Sequence, residues 1–153
     1  MRINFNSLEN NITKLFKNEK LILIFISLAL SLFLISNIYF PGVWNDEAAV
    51  GETANEIFMA VHYGRNLPRI NYVHPATAAG YLVVPFFYLF GISVFSMRLF
   101  VIFIAVATLW LIYYLCKDWF GKKVAFITFL LTATNLSFVQ YAKIGNFYKD
   151  FYL

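Results

Sequence analysis

Charge is scarce in this chain. Of its 153 residues, 13% are charged and 61% are hydrophobic, with 18 Phe and 10 Tyr. A soluble domain carries about 25% charged and 45–50% apolar residues, and a core of this size cannot bury so many large side chains. The solvent expected for them is lipid. Cysteine is scarcer still. Cys116 stands alone, which excludes an internal disulfide and a cysteine-built metal cluster. With only His62 and His74 beside it, the composition also argues against a zinc site. The net charge is only +4, and the cations gather mostly in two short segments. That distribution speaks for membrane orientation and against a nucleic-acid partner.

What is present is a series of long apolar runs. Residues 21–40, "LILIFISLALSLFLISNIYF", carry no charge, and twenty residues of helix span about 30 Å, the thickness of a hydrocarbon core. The preceding segment 1–20 holds Arg2, Lys14, Lys17 and Lys20 against Glu9 and Glu19, so it is expected in the cytoplasm. A cleaved signal peptide would have a shorter apolar core and a small-residue cleavage site. Two further uncharged runs, within 98–116 and 124–142, are long enough to cross. Thr128, Thr132 and Asn135 line one face of the last, a polar stripe expected to pack on other helices.

The stretch "ATAAGYLVVPFFYLFG", residues 76–91, is interrupted by Pro85. As helix, 76–90 reaches about 22 Å, short of a comfortable span. Were it to cross, "KDWFGKK" (117–123), with three lysines, would fall outside, against the positive-inside rule. The fold class expected is therefore an all-α polytopic membrane protein. It has three transmembrane helices (21–40, 98–116, 124–142) and a first outer loop, 41–97, with juxtamembrane amphipathic helices at 46–63 and 76–90. Residues 117–123 form a cytoplasmic loop and 143–153 begin a second outer loop. On this topology Asp46 and Asp150 share the outer side.

Between the first two crossings stands "WNDEAAVGETANEIF", residues 44–58. From Glu47 the pattern is helical: Val50, Ala54, Ile57, Phe58 and Val61 share a face, with Glu52, Asn55, Glu56 and Met59 opposite. Asn45 or Asp46 suits the N-cap, and early acids suit the helix dipole. A cap at a membrane surface is also a fixed, partly desolvated carboxylate, so capping does not exclude chemistry at Asp46. Glu52 and Glu56 belong to the solvated face. In "HYGRNLPRINYVHPAT", residues 62–77, Gly64, Pro68 and Pro75 signal turns. Arg65 and Arg69 suit either lipid headgroups or a substrate phosphate. His74 is either a phosphate donor or part of a turn.

The "DE" pair after the first crossing is followed by an amphipathic helix, "GRNLP", an "HP" step, an aromatic helix ending "YLFG" and "SMRLFVIFIAVATLWLIYYL". This ordered set resembles the start of polytopic glycosyltransferases of the C superfamily. The protein O-mannosyltransferases of family 39 and the lipid A aminoarabinose transferases are the nearest in kind. The resemblance covers about residues 20–150. It implies inverting transfer of a sugar from a polyprenyl- or dolichyl-phosphate donor to an acceptor, protein or lipid/glycan, on the outer membrane face. Asp46 matches the catalytic aspartate and Glu47 its neighbour. "YAKIGNFYKD", 141–150, matches the second outer loop, making Asp150 the second acidic site residue. Arg65, Arg69, His74 and Lys143 are the implied phosphate-binding residues; His74 stands where some relatives carry a lysine, and Lys143 is the cation that replaces it. Asp150 either positions the acceptor or shares in holding a divalent cation, Mg or Mn, since relatives differ in metal use.

Relatives carry about a dozen membrane helices, so the resemblance casts this chain as an N-terminal fragment, expected to be inactive alone. The competing reading is a non-catalytic membrane scaffold or subunit whose acids only cap helices. A transporter piece fits less well, because no crossing run holds an ionisable residue.

Overall fold

The computed structural model describes residues 18–39, 45–64, 66 and 76–144. The described residues form six helices and no strand: α1 (Glu19–Ser36), α2 (Asn45–Tyr63), α3 (Ala76–Phe90), α4 (Val94–Phe120), α5 (Lys122–Thr134) and α6 (Leu136–Ile144). By length and composition α1 and α4 can each cross a membrane, and the bent pair α5–α6 makes a third span if counted as one.

The serine hydroxyls of α1 are satisfied within the helix, as a lipid environment demands. Ser27 Oγ donates to the Leu23 carbonyl at 2.9 Å and Ser31 Oγ to the Ser27 carbonyl at 2.8 Å. On α4, Phe100, Leu109 and Tyr113 are buried against neighbouring helices while Phe103, Leu111 and Tyr114 point outward. Outward-facing apolar side chains on such helices are what lipid contact requires.

The stretch 117–123, expected as a loop, is helical except at Gly121. That glycine takes φ 84° and its N–H bonds the Lys117 carbonyl at 3.1 Å, a left-handed C-terminal cap that lets the chain reverse at one residue. The reversal is complete, since Leu109 and Tyr113 pack with Ala125, Phe129 and Ala133. Farther along, Ile102 and Ala105 share a cluster with Ala142, Leu34 and Ile38. The two legs are thus antiparallel. The second bends by 59° at Asn135, whose Oδ1 accepts the Phe138 N–H at 3.1 Å and starts a new helix. Thr132 Oγ1, in turn, bonds the Thr128 carbonyl. The expected polar stripe therefore spends these hydrogen bonds on its own backbone, and Asn135 marks a break.

Helices α2 and α3 stand against the first part of α4. Gly80 lies against Thr53 and Ala54, where an added Cβ would come within 3.2 Å of the Ala54 nitrogen. Further on, Phe58 meets Phe87 and Tyr88. Early residues meet early and late meet late, so α2 and α3 run in the same general sense. Their shared core is Val50, Ala54, Ile57, Ala79, Val83, Val84, Phe87, Met97 and Phe100. Val61, expected on this face, is exposed, and Ala60 is buried instead. Pro85 sits inside α3 without ending it. The ring contacts of α3 with α4 fall at Phe95, Phe100 and Phe103, near the α4 N-terminus.

Candidate active site

The joint between α3 and α4 is built from three residues. Gly91, at φ 80°, closes α3 by donating to the Phe87 carbonyl at 2.9 Å. Ser93 is extended and its Oγ accepts the Ser96 N–H at 3.2 Å, capping α4. Ser96 Oγ reaches back to the Gly91 carbonyl. Arg98 therefore begins from a rigid turn. Only 1% of it is exposed.

Its guanidinium meets the carboxylate named from sequence. Arg98 Nε donates to Glu47 Oε1 at 2.6 Å and Nη2 to Oε2 at 2.9 Å, while Nη1 donates to the Ile38 carbonyl. Glu47 is itself 3% exposed. A planar fork matching both carboxylate oxygens is the strong form of this interaction. The geometry also ties three elements together. Ile38 lies just past α1, Glu47 in the first turn of α2 and Arg98 in the first turns of α4. One guanidinium thus bonds both residues that flank the stretch 39–46, which carries Asp46.

Asp46 lies in the first helical turn of α2, and its side chain lies outside the described residues. Glu47, named with it as a catalytic residue, has both carboxylate oxygens engaged by Arg98. Lys143, near the end of α6, holds its Nζ 4.6 Å from the Phe33 ring centroid on α1. Its neighbour Ala142 packs with Leu34 and Ile38. The end of α6 is thereby brought to the same end of α1 whose Ile38 carbonyl Arg98 holds. Arg65, Arg69, His74 and Asp150 lie outside the described residues. Among the described residues no three His, Cys, Asp or Glu side chains cluster as metal ligands would.

Sequence reasoning passed over Arg98, counting it only as a cation at the edge of a crossing. A signal was there, since an arginine beside a lipid-spanning run needs a partner. Which acid fills that need is a matter of folding, because Glu47 is 51 residues away.

The model of the dolichyl-phosphate-mannose-protein mannosyltransferase family matches residues 73–152, just over half of the chain. No curated protein and no solved structure matches it. The matched span includes Arg98 and Lys143 and begins after Asp46 and Glu47. The Arg98 fork is a polar link between the matched span and the acidic pair, beside the apolar core that the same helices share.

Proposed function

The chain belongs to the dolichyl-phosphate-mannose-protein mannosyltransferase family, and from that premise we propose that it serves transfer of a sugar from a polyprenyl- or dolichyl-phosphate donor, with Asp46 as general base. Asp46 accepts the proton of the acceptor hydroxyl as that oxygen attacks the anomeric carbon. The lipid phosphate leaves from the opposite face, so configuration inverts. A base held in place contributes about 10²–10⁴-fold. The leaving group departs as an anion, and cations fixed near it stabilise the charge that develops. Arg65, Arg69, His74 and Lys143 take this part, and Asp150 positions the acceptor. The acceptor is a protein hydroxyl, by the family.

The protein is integral to the membrane. In the proposed topology α1, α4 and the α5–α6 pair cross, the N-terminus is cytoplasmic, and α2 and α3 lie at the outer face. Packing supports this. The rings of α3 meet those of α4 near its N-terminus, where an antiparallel crossing helix would be expected to follow α4 along its length. The end of α6 lies beside the end of α1, which supports Asp46 and Asp150 facing one compartment.

One observation carries the reading of the site, the Arg98 fork. It supports reading Glu47, whose carboxylate is held by Arg98, as a positioning residue and Asp46 as the acid of the pair that acts on substrate. The test is Asp46→Asn in the gene product in its own membranes, assayed with a polyprenyl-phosphate-linked sugar. Asn keeps size and most capping ability but cannot take the proton. Transfer should fall by about 10²-fold or more at unchanged protein level, while Glu52→Gln on the exposed face changes little. Near-normal turnover in Asp46→Asn would reduce the carboxylate to a helix cap.

A further inference from the structure

The exposed side of the α5–α6 span changes character at its break. Along α5 it is apolar, with Val124, Ile127 and Leu131 at 44%, 54% and 66% exposure. From the bend onward, apart from Leu136, it turns polar. Thr134, Asn135, Ser137 and Gln140 are exposed there, and Tyr141 is 42% exposed. The exposed serine and threonine of α1 and α4 satisfy themselves on their own backbone, Ser36 on the Phe33 carbonyl and Thr108 on the Ile104 carbonyl. Thr134 does the same with the Leu130 carbonyl. Among the described residues the side chains of Ser137 and Gln140 make no such bond.

Depth decides what this means. Lys122 and Lys123 sit at the inner headgroup level, and the 13 residues of α5 rise about 20 Å from there. Asn135 therefore lies about two-thirds of the way through a core about 30 Å thick. Because α6 departs at 59°, its 9 residues climb only about 7 Å more. Ser137 and Gln140 stand in the outer half of the hydrocarbon layer, where an unmet hydroxyl or amide is costly. A broken helix at this depth is kept where it is buried in protein or lines a water-filled cavity.

The chemistry of the face favours the cavity. Ser137, Gln140 and Tyr141 stand at i, i+3 and i+4, on one side of the helix. They offer a hydroxyl, a neutral amide and a phenol, and no charge. Three residues beyond Gln140 comes Lys143, the one cation of α6. A neutral hydrogen-bonding strip that ends at a cation is complementary to an uncharged polyol joined to a phosphate.

We propose that this face is the wall of a water-filled cleft open to the outer side, and that it binds the sugar of the lipid-phosphate donor. The assignment rests on the transfer reading and topology given above. Gln140 and Ser137 hydrogen-bond sugar hydroxyls, Tyr141 offers its ring to the sugar's C–H face, and the phosphate lies toward Lys143.

The variants Ser137→Cys, Gln140→Cys, Ile127→Cys and Leu131→Cys are made singly with Cys116→Ser, in the gene product in its own membranes. Each is treated from outside with a charged methanethiosulfonate. Ser137→Cys and Gln140→Cys should react about tenfold faster than the other two, because a thiol ionises in water and not in an apolar setting. A polyprenyl-phosphate-linked mannose should slow that reaction, and polyprenyl phosphate without the sugar should slow it far less. Gln140→Leu should raise the donor KM about three- to tenfold with kcat less affected, the worth of one neutral hydrogen bond. Reaction at 137 and 140 no faster than at 127 and 131 would mean that lipid, a second copy or another helix covers the face, and would overturn the cleft. No protection by the mannose donor, or equal protection by the sugar-free lipid, would overturn the sugar site. Failure of the transfer reading looks different: sugar-specific protection stands, yet no turnover is found for Asp46→Asn to abolish.

Discussion

The two ends of α4 each hold a carboxylate–cation pair, and they are built to opposite standards. At the N-terminal end Arg98 and Glu47 are both buried, both carboxylate oxygens are bonded, and a third guanidinium nitrogen is taken by the Ile38 carbonyl. At the C-terminal end Glu19 is buried but Lys122 is exposed, their contact is single and long, and the other neighbour of the carboxylate is the neutral Tyr113 hydroxyl. The contrast teaches what burial demands. A charge withdrawn from water is tolerated when its hydrogen-bonding capacity is met, and a fork does this while also fixing orientation. The first pair is a joint. The second is a contact that can exchange.

The largest expected effect concerns which side of the membrane each end faces. Single cysteines at Asn66, Trp119 and Asn146, in a Cys116→Ser background, are labelled with a membrane-impermeant thiol reagent in intact cells. The comparison requires label at 66 and 146, and none at 119 until the membrane is permeabilised. Label at 119 with protection at 146 would put Asp46 and Asp150 on opposite faces and end the shared-site reading.

Next comes the joint itself. Arg98→Gln leaves Glu47 buried and unpaired, a loss of about 3–5 kcal/mol, read as a drop in the unfolding midpoint in detergent. Arg98→Lys should recover little, because an ammonium cannot bond both carboxylate oxygens and the Ile38 carbonyl in one plane. Full recovery by lysine would mean that charge alone matters here and that orientation does not.

The smallest effect belongs to the other end. Lys122→Gln should cost about 0.2–1 kcal/mol, as for exposed pairs, because the lysine is itself 61% exposed and the contact is long. Added salt should mimic that substitution and leave the Arg98 joint nearly untouched, since buried pairs are screened far less. An equal loss at both ends would erase the distinction between joint and contact.

Much of the architecture was legible without coordinates. Apolar runs with no charge had to be helices in lipid, because no other single segment can satisfy its own backbone there. The turn glycines and Asn135 show where such reasoning thins. A lone Gly121 looked like part of a seven-residue loop, yet one left-handed residue was enough to reverse the chain. Asn135 read as a member of a packing stripe, whereas its side chain meets a backbone N–H and bends the helix. Both are local effects of side-chain and backbone geometry, to which hydrophobic periodicity is blind.

The site divides along the same line. Sequence alone determined that the chain belongs in a membrane, that its acids cluster at Asp46 and Glu47 beside a helix start, and that its lysines crowd the opposite end. Those are properties of composition and spacing, which transfer free energy and helix geometry turn directly into placement. Only the tertiary structure decided that Glu47 answers to Arg98, 51 residues on, and that Glu19 and Tyr113 are buried together. Pairing between distant residues depends on which helix faces meet. That is settled by the close fit of Gly80 against Ala54 and by the edge-on and tilted ring contacts between α3 and α4, contacts that no pattern along the chain specifies.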